Sequence, residues 1–209
     1  MKTPCTLYIV RHGETERNVK ELLNGQQDSP LTQNGIQQAE DLRHELKDVH
    51  FDSIYSSDLE RARKTAHIIK KDAHPDDFRI EKMLTEKFCG EFEGKHRSIY
   101  KQELEKALKA MNDFSDEARW KAKPSPDVES DHEVAQRFTK AIKTIAKEHA
   151  GKKVLVVSHG GCIRSFLVHI GQYKLQELPG GSFGNCGYVK LLSDGEKFEV
   201  QGVKGVKPA

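Results

Sequence analysis

The chain is 209 residues long, which favours one full-sized domain with an insertion over two independent domains; at this size about 70% of the unfolded surface is buried without a metal or disulfide staple. Hydrophobic residues make up 36%, and 34 Lys and Arg stand against 32 Asp and Glu, a net charge of +2. That balance excludes a whole-molecule field for nucleic acid or an anionic membrane, so any anion site has to be local.

Met1-Lys2-Thr3-Pro4 leads into the short run Leu7-Tyr8-Ile9-Val10, as in a soluble chain expected to lack a signal peptide, and no run approaches the ~18 apolar residues of a membrane span. This short apolar run reads as a strand covered on both faces, and Val154-Leu155-Val156-Val157 repeats it. Between them, Thr32 caps a predicted helix running toward Leu46, with Ile36, Ala39 and Leu42 on one face. A second strand is expected at 53–56. Ser57-Asp58-Leu59-Glu60 then has the pattern of a capping box for a helix carrying Arg61, Ala62, Thr65, Ala66 and Ile69. A further strand is expected near 78–81. From 101 to 111, Leu104, Ala107, Leu108 and Met111 follow the spacing of an amphipathic helix. Pro124-Ser125-Pro126 breaks the chain, so that 95–128 reads as a lid-like insertion. Ser130-Asp131-His132-Glu133 is a second capping box, for a long helix ending near Gly151. Glycines 180, 181, 184 and 187 predict a turn-rich connection into a hairpin of 188–192 and 198–203, followed by a frayed tail over 205–209.

Strand alternating with helix predicts an α/β fold: a three-layer α/β/α sandwich with a mainly parallel central sheet and a small helical insertion over the site, as a single domain over 1–209. Cys5, Cys89, Cys162 and Cys186 form no Cys-x-x-Cys pair, which fits a reducing, cytoplasmic setting. Cys89 and Cys162 read as small buried apolar residues.

Two strands end alike, in Arg11-His12-Gly13-Glu14-Thr15 and in Ser158-His159-Gly160-Gly161. In open α/β sheets the ligand crevice lies outside the carboxyl ends of the strands, which places both histidines at it. Glycine after each lets backbone approach a bound group closely. One reading is metal ligation by His12, His159 and a carboxylate such as Glu14 or Asp58. Arg11 opposes it, because a fixed guanidinium repels a divalent cation and takes phosphate oxygens in bidentate fashion. Arg61 is a second phosphate candidate, although Glu60-Arg61-Ala62-Arg63-Lys64 also fits a solvated helix face.

Six ordered blocks, over about residues 7–192, carry a resemblance: Arg11-His12-Gly13-Glu14-Thr15; Asn18; Asp28-Ser29-Pro30-Leu31-Thr32; Ser56-Ser57-Asp58-Leu59-x-Arg61-Ala62-x-x-Thr65-Ala66; Leu84-x-Glu86-x-x-x-Gly90-x-Phe92-Glu93-Gly94; and Ser158-His159-Gly160-Gly161. Together they resemble branch 1 of the histidine phosphatase superfamily, the phosphoglycerate-mutase-like family. The resemblance implies that His12 is a nucleophile forming a phosphohistidine. Arg11, Asn18, Arg61 and His159 would surround the phosphoryl group, with Gly160 adding a backbone amide. Glu86 would be the general acid and then the base, its carboxyl pKa raised by partial burial near Phe88 and Phe92. No metal and no cofactor is implied. Asn24 and Gly25 are weaker substrate-contact candidates; Leu22 and Asn24 stand where many members carry an arginine and a short polar residue or glutamine.

Within that family, Arg17 in place of a tryptophan and the short 84–94 block favour a phosphatase for small phosphorylated metabolites. The alternatives are a 2,3-bisphosphoglycerate-dependent phosphoglycerate mutase and a non-catalytic phosphate-binding protein. Lys95, His96, Arg97, Lys101 and Lys121 hint at an anionic substrate. The expected partners are that metabolite alone, without nucleic acid or membrane, for a monomer or homodimer.

Overall fold

The computed structural model describes residues 3–70 and 78–207. The apolar run at 7–10 is the centre of β1, Cys5–Arg11, which pairs in parallel with β4, Lys153–Ser158. β2, Ser53–Ser56, lies on the other side of β4, and β3, Phe78–Ile80, completes a parallel set at that edge. β5, Phe183–Ser193, pairs antiparallel with β1, and β6, Phe198–Val206, closes the other edge against β5. The order is β3-β2-β4-β1-β5-β6.

Both central strands are apolar along their length because both faces are covered, and their side chains alternate between two cores. Leu7, Ile9, Val154 and Val156 pack on α6, Asp131–Glu148, and α7, Gly160–His169, through Phe138, Ile142, Ile163 and Phe166. Tyr8, Val10, Leu155 and Val157 pack on α2, Gln33–Glu45, and α3, Glu60–Lys70, through Leu42, Ala62, Ala66 and Ile69. The result is the expected three-layer sandwich.

Capping follows the sequence at two helices and departs from it at a third. Thr32 accepts from the Gly35 amide at the start of α2, and Ser130 with Glu133 forms the reciprocal box at α6. The predicted Ser57–Glu60 box is not what caps α3. Its first amides, on Glu60 and Arg61, donate instead to the Asp28 carboxylate at 2.7 and 3.3 Å. A distant acid has taken the place of the local serine, because it also pairs with Arg61.

The insertion holds two helices, not one. α4, Arg97–Met111, starts four residues before the predicted Lys101, capped by the His96 ring, and α5, Asp116–Lys121, follows it. Leu104 and Leu108 pack on Ala118 and Ala122, while Tyr100 joins Cys89, Phe92 and Val128 in a separate small cluster. α1, Glu16–Val19, is one further short helix. Gly184 and Gly187 are strand residues of β5, not part of a turn. A side chain at either would meet backbone, Gly205 O at 2.9 Å or Lys204 O at 2.8 Å, where the β5–β6 register is irregular. Gly205 and Val206 are likewise paired in β6, and Lys207 donates its amide to Ser182 O. The expected fraying is therefore absent up to 207, and 208–209 lie outside the described residues. Among the described residues no helix is long and apolar enough to cross a membrane.

The turn after β1 is held by a backbone-to-backbone contact. A Cβ on Gly35 would stand 2.1 Å from Glu14 O, and one on Gly13 would stand 2.4 Å from Gly35 O. Gly35→Ala should therefore cost about 1–3 kcal/mol through overpacking, read as a lower urea midpoint. An unchanged midpoint would mean that α2 does not press on this turn.

Candidate active site

The carboxyl ends of β1 and β4 lie side by side, Arg11 opposite Ser158. The His12 amide continues the ladder to Ser158 O at 3.0 Å, and the rings of His12 and His159 come within 5.1 Å, centroid to centroid. His12 is 2% exposed. Its Nδ1 lies 2.7 Å from Gly13 O. A carbonyl only accepts, so Nδ1 carries the hydrogen and Nε2 keeps its lone pair. The turn itself is pinned: the Gly13 amide donates to Thr65 Oγ1 at 3.0 Å, and Asn185 Nδ2 donates to His12 O at 3.1 Å. Burial, then the charges of Arg61 and Arg11, push the His12 imidazole well below its ordinary pKa. It is neutral at pH 7, with a free lone pair on Nε2.

Three cationic or donor side chains surround it. Arg61, 1% exposed, donates through Nη1 to Gln27 O (2.8 Å) and Asp28 (3.2 Å), and through Nη2 to Gly25 O (2.7 Å). Arg11 donates to Phe183 O and runs past Gly160, where an added Cβ would stand 3.1 Å from its Nε. His159, 0% exposed, has its Nε2 at 2.8 Å from Ser57 Oγ. We assign the Ser57 hydroxyl as donor in that bond, which leaves the imidazole hydrogen on Nδ1. Burial, then Arg61, depress the His159 pKa well below its ordinary value.

Arg11 Nε, Arg61 Nε and His159 Nδ1 are buried without a hydrogen-bond partner among the described residues. A buried unpaired donor costs about 1–3 kcal/mol. The two arginine nitrogens can only donate, and His159 Nδ1 donates in the tautomer assigned above, so the group that would satisfy them is an acceptor-rich anion such as a phosphoryl group. Asn18 adds to the ring: its Oδ1 accepts from the Thr15 amide and Asn185 Nδ2, which leaves its Nδ2 hydrogens to donate. The N-terminus of α7 opens at Gly160, directly after His159, and favours negative charge there.

Glu86 reaches the same place from the loop after β3. Its Oε2 accepts from the Gly161 amide at 3.2 Å and its Oε1 from the Lys87 amide at 2.8 Å. A side chain on Gly161 would collide with it, at 2.5 Å from Oε1. The surroundings are not the apolar ones expected. Phe88 is turned outward, 36% exposed, and Phe92 is buried in the cluster under Tyr100, so Glu86 meets amides and the Cys162 thiol instead. Burial pushes the thiols of Cys89, to about 12, and of Cys162, well above the usual value, as inert packing residues require.

The structure thus brings together His12, Arg11, Arg61, His159, Asn18, Gly160 and Glu86. Asn24 and Gly25 lie in the adjoining loop, where Asn24 Oδ1 is buried without a hydrogen-bond partner among the described residues. Asn24 is buried and donates to Thr15 Oγ1; Gly25, at φ +52°, packs on the Glu93 carboxylate and offers its carbonyl to Arg61. Both build the wall that holds the guanidinium. Leu22 bridges to His96. Of the basic residues suggesting an anionic substrate, Lys95 pairs with Glu91, Lys121 with Glu117, and both His96 and Arg97 with Glu21. Glu14 and Asp58, the carboxylates considered for a metal, accept from Thr32 and Thr85. Among the described residues no cluster of three His, Cys, Asp or Glu side chains suits a metal ion.

Several residues of the site were not singled out from the sequence. Asn185 of β5 and Ser57, just after β2, act on the two histidines from distant parts of the chain. Glu93 accepts from the amides of Gln26, Gln27 and Cys89, tying the loop of Glu86 to the loop that holds Arg61. Arg137 of α6 bonds to three carbonyls of the Glu86 loop. Nothing in the sequence singles it out, because with Gln136 before it Arg137 has the context of an ordinary helix charge.

Comparison with known proteins shows the family. The family model for the Histidine phosphatase superfamily (branch 1) matches residues 7–204. A probable phosphoglycerate mutase, GpmB, of Enterobacter sp. (strain 638) is 33% identical over 82% of this chain and 79% of its own. The adenosylcobalamin/alpha-ribazole phosphatase of Escherichia coli (strain K12) is 31% identical over 78% of each. The crystal structure of a phosphoglycerate mutase from Bacillus anthracis str. Sterne superimposes with a TM-score of 0.82 at 29% identity, covering 97% of this chain and 93% of that one.

Because burial holds both histidines neutral in the folded state, the unfolded chain takes up their protons first on acidification through about pH 6.5. Their contribution to stability is present above that pH and is lost below it, by up to about 1.4 kcal/mol per pH unit for each. NMR titration is expected to show neither imidazole protonating between pH 7.5 and 6. A midpoint near 6.5 for His12 would refute the neutral nucleophile.

Proposed function

The chain belongs to branch 1 of the histidine phosphatase superfamily, an enzyme acting on phosphoric monoesters, and from that premise we propose that it is a metal-independent phosphatase of small phosphorylated metabolites. The observation that carries this reading is the ring of unpaired buried donors around a neutral imidazole. Such a ring suits an incoming phosphoryl group and leaves the nucleophile uncharged.

The steps follow from the atoms present. His12 Nε2 attacks phosphorus in line, the P–O ester bond breaks, and Glu86 gives its proton to the departing oxygen. Arg11, Arg61, His159 Nδ1–H and Asn18 meet the charge on the equatorial oxygens with donors already in place, so no solvent has to reorganise. Glu86, now ionised, takes a proton from water. That water attacks the phosphohistidine, phosphate leaves, and His12 regains its lone pair. The two arginines supply the positive charge that magnesium supplies elsewhere, and the neutral His159 adds a hydrogen-bond donor. On this reading 1–209 works as a single domain, with 95–128 as the cover over the leaving group.

The names of the relatives keep phosphoglycerate mutase as the second reading. A mutase must keep water from the phosphorylated enzyme while its substrate turns around. Here α4 and α5 rest on two small apolar clusters, a modest cover. The test is phosphate release from a panel of phosphomonoesters with chelator present, beside a 3-phosphoglycerate to 2-phosphoglycerate assay primed with 2,3-bisphosphoglycerate. We expect release without interconversion, lost in His12→Ala and reduced about 10²–10³-fold in Arg61→Ala. Fast interconversion with little release would make the protein a mutase, and activity surviving in His12→Ala would remove the covalent mechanism.

A further inference from the structure

Among the described residues the guanidinium of Arg137 makes three bonds to the loop of Glu86 and two to Glu129, which itself bonds that loop. Nη1 donates to Met83 O at 2.9 Å and Thr85 O at 2.6 Å, and Nη2 to Glu86 O at 3.1 Å. Nε and Nη2 also form a bidentate pair with Glu129 at 2.7 and 2.9 Å. Glu129 in turn holds the far side of the acid: its Oε2 accepts from the Phe88 amide at 2.8 Å, and its own amide donates to Phe88 O at 3.0 Å. The backbone is thus clamped at 83, 85, 86 and 88, on both sides of Glu86. Neighbouring residues of α6 fix the clamp in the core, since Val134 and Phe138 are fully buried against the sheet.

We infer that Arg137, with Glu129, is the positioning residue for proton transfer by Glu86: it sets where the carboxyl stands relative to the departing oxygen, without touching substrate. The inference rests on the proposed role of Glu86 as general acid. A guanidinium is suited to the task because its planar fork binds several acceptors in fixed directions, which a lysine does not reproduce. Precise placement matters because a 1 Å error at a reacting group can cost about 10²-fold in rate.

Leaving-group dependence separates positioning of an acid from general loosening. A 4-nitrophenolate leaves readily without a proton, whereas an alkoxide needs one. The constant to compare is kcat/KM, which reports the step that breaks the P–O bond whatever limits turnover later. We expect Arg137→Ala and Glu129→Gln to lower kcat/KM for an alkyl phosphate by about 10²-fold while that for 4-nitrophenyl phosphate falls only a few-fold, with Arg137→Lys intermediate. Glu86→Gln, run beside them, should show the same selectivity more strongly. Urea unfolding confirms that each variant is folded, and Arg137→Lys and Glu129→Gln decide the matter if Arg137→Ala is not. Equal losses on both substrates, or none, in the Arg137 and Glu129 variants while Glu86→Gln stays selective would overturn the positioning role alone. Equal losses in Glu86→Gln would overturn the acid itself, and Arg137's role with it.

Discussion

Everything at this site depends on one short hydrogen bond, from His12 Nδ1 to the carbonyl of the next residue. It fixes the tautomer, turns the Nε2 lone pair outward, and needs no partner from elsewhere in the chain. Its cost is that Gly13 must be held still, and three distant elements do so: Thr65 of α3 takes its amide, Gly35 of α2 presses on its Cα, and Asn185 of β5 takes the His12 carbonyl. The sheet supplies the rest, since the parallel pairing of β1 with β4 delivers the second imidazole beside the first.

Positive charge is concentrated here against its own self-repulsion. Two guanidiniums and two imidazoles share a buried space, and burial disfavours the charged form of each. The chain resolves the conflict by keeping the imidazoles neutral and giving Arg61 a carboxylate partner in Asp28, which also caps α3. One acid therefore connects the donor-lined pocket to the start of the helix that carries its arginine.

What could be read from the sequence was what local patterns encode. Apolar runs bounded by charges marked β1 and β4, the Ser130 box marked α6, and the ordered motif blocks marked His12, Arg11, Arg61, His159 and Glu86. What could not be read were contacts made across the fold. Nothing near Ser57 says that Asp28 would take the amides of α3, or that Ser57 would turn to His159 instead. Arg137 has the sequence context of an ordinary helix charge, and its bonds go mostly to carbonyls, which carry no residue identity. Gly184 and Gly187 looked like turn residues because glycine signals both a turn and a place where two backbones meet; only the pairing of β5 with β6 distinguishes them.

Glu93 gives the two walls of the pocket a common fate. Its single carboxylate is bonded to the amides of Gln26 and Gln27 on one side and of Cys89 on the other, while Gly25 and Gln27 lend their carbonyls to Arg61. Displacement of the segment leading into α4 is thereby transmitted to the carbonyls that aim the guanidinium. If the proposed function holds, recognition of the distal part of a ligand and alignment of charge on its phosphoryl end are mechanically linked, so discrimination between substrates would register in turnover as well as in affinity.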